Sequence, residues 1–465
     1  MRQSTIIIGL FAFCLPFLYP QISSHAHDKL SHRPLTQSDT GAKAETSPHI
    51  LVLTVDTLRA DMLGFSGGPA KTPNLDALAA ESQVFANCIS ASMLTSPSHA
   101  SIFTSLYPRD HGIYDNASGI DDNITTLAEH LTSFDYATGA IINFPHLNPE
   151  ISNLGKGFSE ILPAKSEERR AALTSALGLN MFDRLPNDKA KFLWLHYIDP
   201  HAPYDAPDHQ HSSQPAHTPI DKAVASAPGF QKKNRWFQQA FKKFSTTEDL
   251  VNKYIAEIEH FDRGLGKLIR GLKRRGVYDN TIFVLTSDHG ENLGEHDLYF
   301  HHGGLYRSTT HVPLLIKAPG QIAGKDFSLT QNIDIAPTIL DLAAIPYWQG
   351  LRGQSLALKQ QLPRDFAFSE HMHGQLVSVR TLSHALIVHR ENSVQFPNYP
   401  FESGQVEFYD LINDPKEQNP LDPNSPIANA LKDALDTYLK KGPRWRSQNQ
   451  FALAEDSLRA LGYIE

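Results

Sequence analysis

Cysteine is scarce in this chain, which has two cysteines among 465 residues, Cys14 and Cys88. Because Cys14 lies in an apolar N-terminal run, one cysteine remains for the folded part, and an internal disulfide is excluded. Beyond that run no apolar segment approaches the roughly 20 residues of a membrane-spanning helix, so we expect no stable membrane anchor. A long basic run is also missing and the formal net charge is −8, which argues against nucleic acid as a partner.

The N-terminal apolar run predicts export. Residues 6–18 are almost wholly apolar, follow Arg2 and lead to Ser24-His25-Ala26, which has the small-x-small pattern of a secretory cleavage site. We therefore expect residues 1–26 to be a signal peptide and the protein to be periplasmic or secreted. Residues 27–48 are polar and rich in Ser, Thr and His, which predicts a disordered lead-in. The sequence leaves the oligomeric state open.

Short apolar runs alternate with stretches of helical spacing along most of the chain. The first run spans 50–55, and similar runs recur at 138–142, 192–197, 282–286 and 312–316. Such alternation predicts an α/β fold in which a large, mostly parallel sheet is flanked by helices. The clearest helix spans about 246–276, because its apolar residues recur every three or four positions between a capping-box-like start and Gly276.

Two segments depart from this alternation. Residues 205–243 are rich in His, Pro, Gln and Lys, and we interpret them as an insertion or lid over the site. Residues 346–465 contain short alternating runs such as 377–379 and 386–388, which predict a small antiparallel C-terminal subdomain. The catalytic domain would then span 49–345.

Strong metal ligands follow two of the predicted strands directly. Asp56 comes after the run at 50–55, and Asp288 with His289 comes after the run at 282–286. The functional groups of open α/β sheets collect at the carboxyl ends of the strands, and carboxylates with one imidazole suit Ca²⁺, Mg²⁺, Mn²⁺ or Zn²⁺. Either aspartate alone would be read as a turn residue or a helix cap. Together they predict a site for one divalent metal ion.

A hydroxyl residue, Thr95, precedes Ser96 and Pro97. Because proline favours the first position of a helix, we predict a helix here from Ser98 to Tyr107. A hydroxyl at a helix N-terminus meets backbone N–H groups and the positive end of the helix dipole, which stabilise an anionic substrate or an alkoxide. A neighbouring metal ion lowers the pKa of such a hydroxyl. The alternative is that Thr95 or Ser96 merely caps the helix.

An ordered series of longer motifs runs along residues 49–465. It consists of Val-Asp-Thr-Leu-Arg-Ala-Asp at 55–61, Thr-Pro-Asn-Leu-Asp-Ala-Leu-Ala at 72–79, Pro-Ser-His-Ala-Ser-Ile-Phe-Thr at 97–104, Asp-Pro-His-Ala-Pro-Tyr at 199–204, Thr-Ser-Asp-His-Gly-Glu at 286–291, His-Gly-Gly-Leu-Tyr at 302–306, Val-Pro-Leu at 312–314 and Asp-Ile-Ala-Pro-Thr at 334–338. The series resembles that of the sulfatase family in the alkaline-phosphatase superfamily, and its order is more specific than any single motif. The resemblance implies an enzyme that attacks sulfate, phosphate or phosphonate esters with a metal-bound nucleophile.

The resemblance also assigns roles to residues of this chain. It implies Asp56, Asp288 and His289 as metal ligands and Thr95 as the nucleophile that bridges metal and substrate. His201 would contact the ester oxygens.

Other positions match the family's motifs less closely. His99 stands where sulfatases carry an arginine, and it would support the nucleophile as a cation or donate a proton. Arg59 and His146 would contact the anionic substrate, with a structural ion pair for Arg59 and a core or surface histidine for His146 as the alternatives. One of His301 and His302 would lie on the leaving-group side.

Two departures from the family's pattern bear on the reaction. Thr57 replaces the second aspartate of many sulfatases, and Thr95 replaces the cysteine that sulfatases oxidise to formylglycine. A threonine cannot form the aldehyde hydrate that releases sulfate by elimination, whereas a phosphothreonine is cleaved by in-line attack of water.

The sequence therefore predicts a metal-dependent hydrolase of sulfated or phosphorylated small molecules or glycans, with a Thr95 covalent intermediate and a preference for phosphodiesters or phosphonate esters. The alternatives are a true sulfuric ester hydrolase, a phospho-group transferase and a binder of anionic esters or glycans without turnover.

Overall fold

The computed structural model describes residues 47–165, 169–206, 218–227, 229–357, 363–371, 374–390 and 402–440. The predicted signal peptide, residues 27–46 of the predicted lead-in, part of the predicted lid and residues 441–465 of the predicted C-terminal subdomain lie outside the described residues. No helix within the described ranges is both long and apolar enough to span a membrane.

A mostly parallel eight-stranded sheet forms the centre of the fold, in the order β4-β3-β5-β1-β6-β7-β2-β8. Its strands are β1 (His49–Val55), β2 (Gln83–Ile89), β3 (Ala137–Ile141), β4 (Glu160–Leu162), β5 (Lys191–Tyr197), β6 (Thr281–Ser287), β7 (His311–Lys317) and β8 (Gly324–Gln331). Only β7 runs antiparallel to both of its neighbours, β6 and β2. The predicted α/β fold is confirmed, and each of the five apolar runs lies in a strand.

Helices cover both faces of this sheet. The α-helices of the described residues are α1 (Pro73–Ala80), α2 (Thr95–Thr104), α3 (Pro108–His111), α4 (Leu127–Ser133), α5 (Pro149–Ser152), α6 (Ala171–Arg184), α7 (Ile220–Ser226), α8 (Gly229–Lys233), α9 (Arg235–Lys243), α10 (Thr247–Arg274), α11 (Arg307–Thr310), α12 (Ile335–Leu342) and α13 (Pro426–Lys440), of which α13 packs on the C-terminal sheet instead. The long predicted helix is α10, and Thr246 and Asp249 cap it reciprocally.

Alternate residues of β1 enter two different cores. Leu51 and Leu53 pack with α6 and α10 on one face, whereas Ile50 and Val52 pack with α2, α4 and α12 on the other. Each buried Leu or Ile side chain contributes roughly 1.5–3 kcal/mol. The burial of both faces explains why the strand is a continuous apolar run.

The C-terminal residues form a separate four-stranded antiparallel sheet, as predicted, in the order β12-β11-β10-β9. Its strands are β9 (Ala367–His371), β10 (Leu376–Arg380), β11 (His384–His389) and β12 (Val406–Asp410). Val377 and Phe408 of this sheet pack with α13 and with Ile333 next to the large sheet.

The described part of the segment 205–243, interpreted above as an insertion or lid, is largely helical. It contains α7, α8 and α9, and Asn234 caps α9 by accepting from two backbone N–H groups. The side chain of Gln231 donates to the carbonyl of Tyr299 at 3.1 Å. This segment therefore packs beside the histidine-rich loop that follows β6.

Candidate active site

The polar residues of the site continue the pleat of three neighbouring strands. In β1 the even-numbered residues face α2, and Thr54 and Asp56 extend that face beyond the apolar positions. The parallel register pairs Thr54 with His196 on β5 and with Thr286 on β6. Asp288 follows Thr286 by two residues and therefore lies beside Asp56.

Asp56, Asp288 and His289 are all buried, and each directs one ligand atom into a common space in which these atoms lie within 4.8 Å of one another. Within the part of the chain that the structure describes, both carboxylate oxygens of Asp56, Oδ2 of Asp288 and Nε2 of His289 have no hydrogen-bond partner. Buried polar atoms of this kind are costly unless something pairs with them. Their chemistry and convergence fit one divalent cation.

Neighbouring groups fix how the ligand atoms are presented. Oδ1 of Asp288 accepts from the backbone N–H groups of His289 at 2.8 Å and of Thr57 at 3.2 Å, and this leaves Oδ2 available. The Nδ1–H of His289 donates to the carbonyl of Gly290 at 2.9 Å, so Nε2 keeps its lone pair. Thr57 has a φ of 58°, which is strained for a β-branched residue.

The two carboxylates differ in their affinity for protons. Burial and, to a smaller extent, the neighbouring charge of Asp288 raise the pKa of Asp56 to about 7. Burial acts in the same direction on Asp288, but His289, His99 and His196 outweigh it and lower the pKa of that carboxyl. Two adjacent carboxylates cannot both ionise readily without a counter-charge. A divalent cation supplies such a counter-charge.

Thr95 is the first residue of α2 and does not cap that helix. The N-cap is Leu94, whose backbone is extended, and no side chain caps the helix. The helix begins at Thr95 rather than at the predicted Ser98. Pro97 is tolerated in the first turn because the backbone N–H that proline lacks would have no intrahelical partner there.

Hydrogen bonds join the first turn of α2 to the loop after β6. The hydroxyl of Ser98 donates to the carbonyl of Asp288 at 2.6 Å and accepts from the side-chain amide of Asn332 at 2.9 Å. The N–H of Ser96 donates to the side chain of Asn116 at 2.9 Å. These bonds hold the N-terminus of the helix, and with it Thr95, beside the candidate metal ligands Asp56, Asp288 and His289, which are called the metal-ligand cluster below.

His99 is fully buried, and both of its ring nitrogens are engaged inside the protein. Nδ1 donates to the carbonyl of Thr95 at 2.8 Å, and Nε2 accepts from the hydroxyl of Thr54 at 2.9 Å. That hydroxyl accepts from the indole N–H of Trp194 at 2.9 Å, so its own proton points to His99. Burial lowers the pKa of His99 to about 3. These contacts favour a neutral His99 ring that positions the backbone of Thr95 over the cation or proton donor that the resemblance implied.

Arg59, which the resemblance places at the substrate, is buried and forms ion pairs with an exposed Asp61 and a partly exposed Glu295. Its guanidinium forms a bidentate pair with Asp61 at 2.9 and 2.7 Å. It also donates to Glu295 at 2.8 Å and to the carbonyl of Glu291 at 3.0 Å. The structure therefore favours the alternative that the sequence left open, in which Arg59 anchors the loop after β6.

Of the adjacent pair His301 and His302, His302 packs against the metal-ligand cluster. Its ring centroid lies 4.4 Å from that of His289 and 5.8 Å from that of His201. Burial lowers the pKa of His302 to about 4 and that of His301 to about 3. Two of the histidines predicted for the substrate side, His201 and His302, thus share one wall of the site.

His146 joins this wall through an aromatic ring. Phe144 packs against His146 with centroids 4.7 Å apart and against His201 with centroids 5.2 Å apart. Burial, together with the neighbouring His201, lowers the pKa of His146 to about 4. The site is therefore lined by imidazoles.

Glu291 belongs to the sequence motif at 286–291, but the sequence assigns it no role in the site. It is buried, its Oε1 lies 3.5 Å from Nδ1 of His302, and its Oε2 accepts from the hydroxyl of Tyr204 at 3.0 Å. Burial raises its pKa to about 7. Its place directly after the Asp288-His289-Gly290 motif was the signal that could have identified it.

His196 was missed altogether. It is fully buried on β5, and its Nε2 lies 3.6 Å from Oδ2 of Asp56. The available signal was the strand pattern, because His196 continues the face of Phe192 and Trp194 at the carboxyl end of a strand.

Two family profiles match the chain. A profile described as "Sulfatase" matches residues 48–345, and one described as "N-sulphoglucosamine sulphohydrolase, C-terminal" matches residues 294–442. The choline-sulfatase of Rhizobium meliloti is 28% identical over 64% of this chain and 68% of that protein. An arylsulfatase of Clostridium perfringens is 26% identical over 80% of this chain and 89% of that protein.

Solved structures share the fold. A protein in complex with its substrate D-glucosamine-2-N,6-O-disulfate aligns with a TM-score of 0.71 at 20% identity, over 85% of this chain and 98% of that one. A phosphonate monoester hydrolase of Agrobacterium radiobacter aligns with a TM-score of 0.66 at 20% identity, over 86% of this chain and 100% of that one. With its profile match over residues 48–345, the chain belongs to the sulfatase family of ester-hydrolysing enzymes.

Proposed function

We propose that this protein is an exported, metal-dependent hydrolase of anionic esters that uses Thr95 as its nucleophile, and that it prefers phosphodiesters or phosphonate monoesters to sulfate esters. The observation that carries the proposal is the position of Thr95. It begins α2, and Ser98, one turn further on, is hydrogen-bonded to Asp288 within the cluster of candidate ligands.

Asp56, Asp288 and His289 would hold the metal ion. Sulfatases are a metal-dependent family, and the unpartnered ligand atoms of this cluster fit one divalent cation. When bound, the ion would lower the pKa of the Thr95 hydroxyl and offset negative charge on the ester oxygens. The N–H groups of the first turn of α2 add to that stabilisation.

The reaction would have two displacements at phosphorus. In the first, the Oγ1–P bond to Thr95 forms, the bond from phosphorus to the leaving oxygen breaks, and the hydroxyl proton of Thr95 passes through a neutral imidazole of the wall to that oxygen. In the second, a water oxygen bonds to phosphorus, the Oγ1–P bond breaks, and one proton of that water passes through the same imidazole to Oγ1 of Thr95. Each displacement cleaves at phosphorus and therefore needs no aldehyde.

His201 and His302 are the proposed groups on the substrate side. Their rings are neighbours of His289, and Glu291 lies 3.5 Å from Nδ1 of His302. A carboxylate in this place orients the imidazole and raises its affinity for a proton. We therefore assign proton transfer to His302 and contact with the ester oxygens to His201.

The substrate is an anionic ester on a small molecule or a glycan. Support for a glycan comes from similar proteins, among them an ulvan-active sulfatase of Formosa agariphila that is 27% identical over 85% of this chain. The same similarity supports the second candidate, hydrolysis of sulfate esters, which Thr95 would have to perform without the elimination step that formylglycine allows.

One comparative assay tests the choice. The protein is loaded in parallel with Mn²⁺, Ca²⁺, Mg²⁺ and Zn²⁺, its metal content is measured, and an aryl phosphodiester, an aryl phosphonate monoester and the matching aryl sulfate are compared. We expect faster turnover of a phosphorus ester than of the sulfate. Faster turnover of the sulfate by unmodified Thr95 would overturn the preference, and binding of all three esters without turnover would show a non-catalytic binder.

A further inference from the structure

A buried histidine on β5 stands directly behind one of the candidate metal ligands. The Nε2 atom of His196 lies 3.6 Å from Oδ2 of Asp56, and both side chains are completely buried. This pair follows from the register of the sheet, because His196 is paired with Thr54, two residues before Asp56 on the same face of β1.

Contacts on the other side of the ring decide which nitrogen of His196 carries the proton. Nδ1 lies 3.4 Å from the backbone nitrogen of Asn143, which can only donate, so Nδ1 is the acceptor. The side chain of Asn143 donates to the carbonyl of His196 and, at 2.8 Å, to the hydroxyl of Thr174. The neutral ring therefore has its proton on Nε2, and that proton faces Asp56.

The Nε2–H group has no other acceptor within the described residues. The distance of 3.6 Å exceeds a hydrogen bond, and a small rotation of the carboxylate or the ring closes it. The ring is also held from the side, with its centroid 5.2 Å from that of His99 and 6.4 Å from that of Trp194. His196 is not a member of the cluster whose ligand atoms lie within 4.8 Å of one another.

We infer that His196 is a positioning residue for the metal site: its Nε2–H donates to Oδ2 of Asp56 and leaves Oδ1 as the single metal-binding oxygen of that carboxylate. The inference rests on the proposed metal site. Donors behind metal-bound carboxylates and imidazoles orient the ligand, and their loss typically weakens metal affinity by about 10–100-fold.

Two isosteric substitutions separate positioning from packing. His196→Gln places an N–H donor where Nε2 lies, and His196→Asn places its amide where Nδ1 lies, facing Asn143. The affinity for Mn²⁺ is measured by competition with a chromophoric chelator, and the environment of the bound ion by its electron paramagnetic resonance spectrum. We expect His196→Asn and His196→Leu to bind Mn²⁺ about 10–100-fold more weakly and His196→Gln to stay within about 5-fold of the wild type.

The matched control is His111, a buried histidine on α3 whose ring nitrogens contact the hydroxyl of Ser101 at 3.1 Å and the N–H of Ile113 at 3.1 Å. His111→Leu should lower the melting temperature and leave Mn²⁺ affinity unchanged. If the wild type binds Mn²⁺ through Asp56 but the Gln, Asn and Leu variants of His196 all have equal affinities for Mn²⁺, this inference alone is overturned. If the wild type and Asp56→Ala show no difference in Mn²⁺ binding, the proposed metal site itself is wrong.

Discussion

The hydroxyl of Ser98 donates a 2.6 Å hydrogen bond to the backbone carbonyl of Asp288. The two residues are 190 positions apart in the chain, and this bond joins the helix that begins at Thr95 to the strand end that carries two of the candidate metal ligands. The proposed nucleophile and the candidate metal ligands are thus joined by a direct hydrogen bond between their two segments.

The two buried carboxyl groups of Asp56 and Asp288 predict that the free energy of unfolding of the metal-free protein depends on pH. The pKa of Asp56 is raised from 3.8 to about 7. A raised carboxyl pKa contributes stability that is complete below about pH 4 and is lost as the pH rises through about 7. The free energy of unfolding of the metal-free wild type should therefore fall between about pH 4 and pH 7, by an amount on the order of a few kcal/mol. The free energy of unfolding of Asp56→Asn should not show this decrease, because the variant has no carboxyl group at position 56.

Urea unfolding of chelator-treated wild type and Asp56→Asn between pH 4 and pH 8 checks this dependence. The variant should gain stability relative to the wild type as the pH rises. Addition of Mn²⁺ at pH 8 should stabilise only the wild type. Parallel stability curves for the two proteins would contradict the paired-carboxylate interpretation.

Arg59 should matter for stability more than for substrate affinity. Its guanidinium is occupied by Asp61, by Glu295 and by the carbonyl of Glu291, so Arg59→Gln leaves these acceptors without their cation. Because Arg59 is buried whereas Asp61 is exposed, the loss of these charged hydrogen bonds should cost about 2 kcal/mol of unfolding free energy. The matched control is Arg275, whose surface pair with Asp183 should be worth less than about 1 kcal/mol.

The measurements are urea unfolding and steady-state kinetics of Arg59→Gln and Arg275→Gln. A KM that rises at least 10-fold in Arg59→Gln while its stability equals that of the wild type would restore Arg59 to the substrate site.

Glu291 should set one limb of the pH–rate profile. Its pKa is raised to about 7 by burial, and only the ionised carboxylate places a negative charge 3.5 Å from Nδ1 of His302. We expect kcat to rise with pH through about 7, and Glu291→Gln to lower kcat by about 10-fold and to flatten that limb. Because the hydroxyl of Tyr204 lowers the pKa of Glu291, Tyr204→Phe should move the limb to higher pH. A limb that is the same in all three proteins would remove Glu291 from the mechanism.

The sequence predicted those features that follow from local pattern. The strand at 50–55 was visible because both of its faces are buried, and Asp56 and Asp288 were visible because strand ends collect functional groups. The helix of Thr95 was found, although its start was placed three residues late, at Ser98, because Pro97 was taken to mark the beginning of the helix.

The features that escaped the sequence depend on contacts between distant segments. The neutral state of His99 is set by Thr54 and Trp194 on two other elements, and the network of Arg59 includes Glu295, 236 positions away. His196 has no local motif. Its contact with Asp56 exists only because β5 and β1 pair in one register.

The most direct measurement of the central claim is kcat/KM for Thr95→Ala beside Ser96→Ala, with Mn²⁺ content measured on both variants. Ser96 is the adjacent hydroxyl on the same helical turn, so it controls for local packing. We predict that Thr95→Ala loses more than about 10³-fold of the wild-type kcat/KM on the preferred ester, whereas Ser96→Ala stays within about 10-fold and both variants fold. Full activity in Thr95→Ala would contradict a threonine nucleophile.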